Sequence, residues 1–180
     1  MALIELSLEE LEVARKIGEA RHDHKGIWPM DWNHDGNTPV GVAIEGAIGE
    51  MAYAKYWGVK IDEHLFSRGQ GDGGTDLVLP KGETVDVKAS SKLSGHLILN
   101  ELPPAIYLKQ PHYYALCFNT KSEAIFNLAG IVSAAKFSNL AHIKDFGFGQ
   151  RYVMHQSELD PPEWLRHDEI VVHQLRFQLD

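Results

Sequence analysis

The chain has 180 residues, of which 44% are hydrophobic and 23% charged, and its formal net charge is −8 at pH 7. This length suits one domain, so we expect a single domain over residues 1–180, with no apolar run long enough to span a bilayer. The negative charge argues against nucleic-acid binding through a broad basic surface, because Lys and Arg contacts to phosphate dominate such affinity, but it does not exclude an enzyme that acts on DNA.

The N-terminus lacks the basic segment and the apolar core of a secretory signal. Cys117 is the only cysteine in the sequence, so it has no partner for an internal disulfide. We therefore expect a cytoplasmic protein.

The first predicted helix follows Ser7, which forms a capping box with Glu10 and starts a helix to about Asp23. Its apolar stripe is predicted at helical spacing, at Leu8, Leu11, Ala14 and Ile17. Residues 26–39 read as an irregular loop rich in tryptophan and histidine. No H-E-x-x-H or paired-cysteine spacing supports zinc there, so we assign no zinc site.

Residues 42–57 predict a second helix that is nearly encircled by apolar or small side chains and is therefore buried. A buried carboxylate is costly without a partner, so Glu50 is expected to meet a metal, a cation or a bound water. Glu45 lies about 140° around the helix from Glu50, so we place Glu50 in a site and Glu45 against solvent or a structural partner. Gly46 and Gly49 are expected to let this helix approach a sheet closely.

Residues 75–79 and 83–89 predict a β-hairpin, because β-branched and aliphatic residues flank the three-residue loop Pro80-Lys81-Gly82. If Leu79 pairs with Glu83, the same register places Asp76 directly opposite Asp86. Opposed residues have Cβ atoms roughly 5 Å apart, so the two carboxylates repel unless a cation joins them or one is protonated.

Strand periodicity adds an amine to the two carboxylates. Lys88 lies two residues beyond Asp86 and shares its face, whereas Val85 and Val87 point to the opposite face and into a core. The hairpin thus presents two acids and one amine to one spot while its other face is buried.

An Asp on one strand followed by Asp86-Val87-Lys88 on the next resembles the PD-(D/E)XK nuclease superfamily. The helix segment at residues 46–52, which carries Glu50, is similar to the glutamate-bearing helix of these nucleases. The resemblance covers about residues 41–118, and the chain departs from the pattern at Thr75, since no proline precedes Asp76. It implies an α/β restriction-endonuclease-like fold, with a mixed β-sheet core flanked by α-helices, and a deoxyribonuclease activity.

The residues themselves suggest how such hydrolysis would work. Asp76, Asp86 and the Val87 carbonyl are expected to hold Mg²⁺, for which Mn²⁺ can substitute, and Glu50 to complete that site through water or hold a second ion. Lys88 is expected to orient the attacking water or to stabilise the transition state.

The partner is expected to be DNA, with RNA not excluded, and no membrane is expected. Ser90 and Lys92 follow the predicted site and are candidate phosphate contacts. Endonuclease or exonuclease action, substrate specificity and oligomeric state stay open, including a homodimer. Two alternatives remain: a catalytically inactive nucleic-acid-binding or assembly module of the same fold, and a structural salt-bridge cluster.

The remaining elements are predicted from shorter patterns. We expect a weak strand at 59–66, strands at 96–99, 113–118, 123–128, 151–155 and 175–179, and a helix from 133 to about 141. The strand at 113–118 is apolar throughout, which predicts a central position in the sheet.

Overall fold

The computed structural model describes residues 2–25, 38–61, 75–92, 94–99, 110–120, 122, 124–147 and 149–165. These residues form a mixed α/β structure with three α-helices and eight strands. The helices are α1 (Leu8–Lys25), α2 (Pro39–Trp57) and α3 (Ala134–Leu140). The strands are β1 (Ala2–Glu5), β2 (Leu77–Val78), β3 (Thr84–Ser90), β4 (His96–Leu99), β5 (Tyr113–Asn119), β6 (Ile125–Ser133), β7 (His142–Asp145) and β8 (Gln150–His155). None of the described helices is long and apolar enough to cross a membrane.

The larger sheet has five strands in the order β1-β6-β5-β3-β2. Strands β3 and β5 are parallel, and the other neighbouring strands are antiparallel. The prediction of a central, buried β5 is confirmed, because the residues from Tyr114 to Phe118 are all buried. Strand β1 at the sheet edge was not predicted from the sequence.

Helices α1 and α2 cover one face of this sheet, where Val85, Val87 and Cys117 belong to the core cluster. A Cβ atom added at Gly49 would lie 2.7 Å from the Ala89 Cβ, so the α2 backbone approaches β3 as expected. A Cβ added at Gly46 would meet nothing within 4 Å, so the same expectation is wrong for Gly46.

The start of α1 is held by the predicted capping box. The Ser7 N–H donates to a Glu10 carboxylate oxygen at 2.7 Å, and the Glu10 N–H donates to the Ser7 hydroxyl at 3.1 Å. The other positions of the predicted apolar stripe are buried, but Leu8, the first residue of the helix, is exposed.

A second sheet of three strands, β4-β8-β7, covers the other face together with α3. Its inward residues Leu97, Leu99 and Met154 pack with Leu116 and Phe137 in one cluster. The predicted pair of flanking helices therefore lies on one face, and the other face is covered mainly by this sheet. Strand β7 was not predicted, because its four residues are exposed and show no alternation of buried and exposed positions.

Some predictions fall on parts of the chain outside the described residues. These are the strand at 175–179, the glycine run before Thr75 and most of the loop at 26–39. Residues 59–61 are described and do not form the predicted strand, whereas 62–66 lie outside the described part.

Candidate functional site

The β2–β3 hairpin has the predicted register. Leu77 pairs with Val85 and Val78 with Thr84, and the N–H of Asp76, just before β2, donates to the Val85 carbonyl at 2.9 Å. The predicted pair of Asp76 with Asp86 lies beyond the end of this ladder, but the charge of Asp86 acts on Asp76, so the two carboxylates are near each other. Gly82 in the turn has φ +91°, a left-handed conformation that glycine adopts without strain. The two carboxylates are thus placed next to each other by local turn geometry.

Both carboxylates are buried, with Asp76 6% and Asp86 7% exposed. Strand β2 is shorter than predicted, and Asp76 lies just before it. The Asp76 carboxylate accepts a hydrogen bond of 2.7 Å from the Val87 N–H. Since the N–H and C=O of one strand residue point to the same side, the Val87 carbonyl also points toward the β2 side, where Asp76 lies.

Lys88 extends the site toward solvent. Its ammonium group lies 2.5 Å from a carboxylate oxygen of Asp86, and its side chain is 40% exposed. The amine predicted on the acid-bearing face is therefore present there, in an ion pair with Asp86. A partly exposed ammonium anchored to a buried carboxylate is positioned to meet an anion that approaches from solvent.

Glu50 is buried in α2, and its partner is a cation that sequence reasoning missed. The Nη1 atom of Arg21 in α1 lies 2.7 Å and 2.8 Å from the two carboxylate oxygens of Glu50. The expected burial of Glu50 predicted some cation, and Arg21 lay within the predicted first helix. No sequence spacing connects two residues 29 positions apart on different helices.

The electrostatics of the site show an excess of negative charge. Burial raises the pKa of Asp76 well above its usual range, and the neighbouring Glu50 and Asp86 raise it further. Lys88 and the hydrogen bond from Val87 lower this pKa but do not outweigh the other causes. The repulsion between Asp76 and its acidic neighbours falls when Asp76 binds a proton, and a bound cation would lower it in the same way.

The oxygen atoms around Asp76 are of the kind that binds divalent metal ions. Asp76, just before β2, and Asp86 and the Val87 carbonyl in β3 are hard oxygen donors, which is the donor chemistry that Mg²⁺ and Mn²⁺ prefer. In the described part of the chain, no group of three or more His, Cys, Asp or Glu residues is arranged to hold a metal. Glu50 is paired with Arg21 and acts on Asp76 through its charge, so the oxygen donors that would be left for an ion are those of Asp76, Asp86 and the backbone.

The other predicted residues lie around this centre. Glu45 accepts a hydrogen bond of 3.3 Å from the Asn119 side chain, and burial raises its pKa, so it has the structural partner that was expected. Ser90 ends β3, and its hydroxyl accepts a 3.2 Å hydrogen bond from the N–H of the exposed Lys92. Phosphate contact by Ser90 and Lys92 stays a prediction.

No protein-family model, curated protein or solved structure matches the chain. Interpretation of the site therefore depends on its geometry. That geometry combines two neighbouring buried acids, a lysine paired with one of them and a third acid held by an arginine.

Proposed function

We propose that the protein is a Mg²⁺-dependent nuclease that hydrolyses DNA phosphodiester bonds. The observation that carries this proposal is the burial of Asp76 near Asp86, with Asp76 bound to the Val87 N–H and Lys88 paired with Asp86. The raised pKa of Asp76 supports a site whose negative charge favours a cation. The parallel β3–β5 pair and the helix α2 packed against it are in keeping with a restriction-endonuclease-like fold, which is part of the proposal.

In this proposal, Asp76, Asp86 and the Val87 carbonyl hold Mg²⁺, with Mn²⁺ as a substitute. The ion, when bound, lowers the pKa of a water molecule and offsets negative charge on the phosphate. Lys88 exchanges its contact with Asp86 for the phosphate or the attacking water and stabilises charge that develops during cleavage. DNA as the substrate and the cytoplasm as the compartment are part of the same proposal.

The ion pairs would also suit a structural salt-bridge cluster. Asp76 argues against that alternative, because among the described residues the hydrogen bond to its carboxylate comes from a backbone amide, that of Val87. A cluster that served stability would be expected to give a buried carboxylate a cationic partner within hydrogen-bonding distance.

Plasmid cleavage in Mg²⁺ or Mn²⁺, compared with excess EDTA, tests the proposal. We expect cleavage to require the metal, and Lys88→Ala to reduce its rate about a hundredfold, which corresponds to roughly 3 kcal/mol of transition-state stabilisation. Lys81→Ala, in the exposed turn of the same hairpin, is the matched control and should keep full activity. Full cleavage in EDTA would refute the metal site.

A calorimetric Mn²⁺ titration separates the inactive alternatives. Asp86→Asn should weaken Mn²⁺ binding because a ligand is lost, while Lys88→Ala should largely retain it. A protein that binds Mn²⁺ but cleaves no form of DNA would be an inactive module. Absence of Mn²⁺ binding would support the alternative in which these residues form a structural salt-bridge cluster.

A further inference from the structure

The outward face of the three-stranded sheet concentrates basic side chains in an acidic protein. Strand β4 pairs His96 with His155 of β8, and β7 pairs Lys144 with Arg151 of β8. His142 of β7 lies two residues before Lys144 and shares its face by strand periodicity. We call this set of five side chains, His96, His142, Lys144, Arg151 and His155, the basic sheet face.

The opposite face of the same sheet explains why these residues point outward. Leu97, Leu99 and Met154 alternate with the outward positions and are buried against the larger sheet. The one acidic residue in these three strands, Asp145, follows Lys144 directly and therefore lies on the other face. The basic residues of this sheet therefore share one face and its acidic residue lies on the other, although the net charge of the whole chain is −8.

The basic groups are crowded. The His96 ring centroid lies 5.2 Å from that of His155 and 6.4 Å from that of His142. Lys144 lies directly opposite Arg151. The Lys144 ammonium also lies 5.2 Å from the centre of the Phe146 ring, and Arg151 donates to the Gln150 carbonyl at 2.8 Å. The positive charge of this face complements an anionic partner.

We propose that the basic sheet face binds the phosphate backbone of DNA, and the choice of DNA rests on the proposed function. Arg151 and His155 are four residues apart, about 13 Å along the strand, so the basic groups extend over more than one phosphate of a DNA backbone.

The basic sheet face is also close to the proposed cleavage site along the chain. Residues Ser90 and His96 are six positions apart, so their Cα atoms are at most about 22 Å apart. A Cβ placed at Gly95 would lie 4.0 Å from the ring of Phe118, and Phe118 pairs with Ser90 across β3 and β5. In the proposal, one DNA molecule meets both.

The charged groups around His96 support binding that depends on pH. Burial lowers the pKa of His96, and Lys144, His155 and His142 lower it further, whereas Glu158 acts in the opposite direction. A bound phosphate would raise this pKa, so by linkage DNA should bind more tightly at about pH 6 than at about pH 8.

The test is fluorescence anisotropy with a labelled DNA duplex in EDTA, at several salt concentrations and at about pH 6 and pH 8, on either side of the usual histidine pKa. The double variant Lys144→Gln/Arg151→Gln should reduce the slope of log K against log salt by about two, one for each lost phosphate contact. The control Lys16→Gln/Lys60→Gln removes the same charge from exposed positions elsewhere and should leave the slope nearly unchanged.

The wild-type chain gives a second test that needs no variant. Its salt slope should steepen from about pH 8 to about pH 6, because a bound phosphate favours the protonated form of His96. Equal slopes at the two pH values, or equal losses in the control and the basic-face variants, would overturn the proposal. So would equally tight binding to vesicles of anionic lipid, because the face would then not be specific for DNA.

EDTA keeps this result separate from cleavage. Binding that depends on the basic sheet face without any metal-dependent cleavage would retain this inference and refute the nuclease. If cleavage depends on metal but Lys144→Gln/Arg151→Gln leaves the DNA affinity unchanged, the nuclease proposal is retained and this inference is refuted.

Discussion

Replacement of Arg21 by methionine should destabilise the protein through Glu50. The Arg21 side chain is 17% exposed and that of Glu50 is 7% exposed, so both charges lie mostly away from water. Removing one partner of a buried ion pair costs about 3–5 kcal/mol, because the other charge stays buried with less compensation. The partial exposure of Arg21 places the expected loss near the low end, at about 3 kcal/mol. For a chain of this size that is a fall of about 6–12 °C in Tm.

The Glu50→Gln variant provides the matched comparison. It keeps the shape of the side chain and an oxygen that accepts from Arg21, and it removes one of the charges that repel Asp76. Its loss should be clearly smaller than that of Arg21→Met. The double variant Arg21→Met/Glu50→Gln should regain most of the stability that Arg21→Met loses, since no charged carboxylate remains beside the missing arginine.

Urea unfolding at neutral pH, with and without Mn²⁺, measures these differences. Bound Mn²⁺ should stabilise Arg21→Met more than the wild type, because the ion restores positive charge near Glu50. A change below about 1 kcal/mol for Arg21→Met, or losses that simply add in the double variant, would show that Arg21 does not hold Glu50 in place.

Three further comparisons test other parts of the structure. The raised pKa of Asp76 means that its contribution to stability is present below the unfolded pKa of about 3.9 and lost as pH rises through the folded pKa. Asp76→Asn should therefore stabilise the protein at slightly alkaline pH, and urea unfolding should show this gain vanish near the unfolded pKa. Glu50→Gln should reduce metal-dependent cleavage far more than Glu45→Gln, and equal losses in a plasmid assay would refute the assignment of Glu50. Tyr53→Phe should cost about 1–3 kcal/mol, because the buried hydroxyl lies 2.9 Å from two carbonyl oxygens in β5 and β6, and an unchanged Tm would contradict this role.

The hairpin site was predictable because its geometry is local. A three-residue turn fixes the register, and the period of two then decides which side chains share a face. The pairing of Leu77 with Val85, which brings Asp76 near Asp86, follows from these two rules, as does the burial of Val85 and Val87. The capping box at Ser7 is local in the same sense.

The features that were missed depend on contacts between distant segments. The approach of α1 to α2 that brings Arg21 to Glu50 requires a glycine, because a Cβ at Gly18 would lie 2.6 Å from the Ile44 Cα. Nothing in the pattern of either helix identifies that crossing point. The second sheet was missed for the same reason: β4 and β8 were both predicted as strands, but their pairing with each other is not local.

The end of the β2–β3 ladder explains why the candidate site forms at Asp76. A further ladder partner for β3 would occupy the Val87 N–H with a backbone carbonyl, but β2 begins only at Leu77, and the Asp76 side chain takes that N–H instead. The hydrogen bond holds the carboxylate beside Asp86, against their mutual repulsion. Val85 and Val87 are buried on the opposite face, so one face of this strand packs in the core while the other carries the acid. The short β2 strand is thus the feature that leaves the Val87 N–H to the Asp76 side chain.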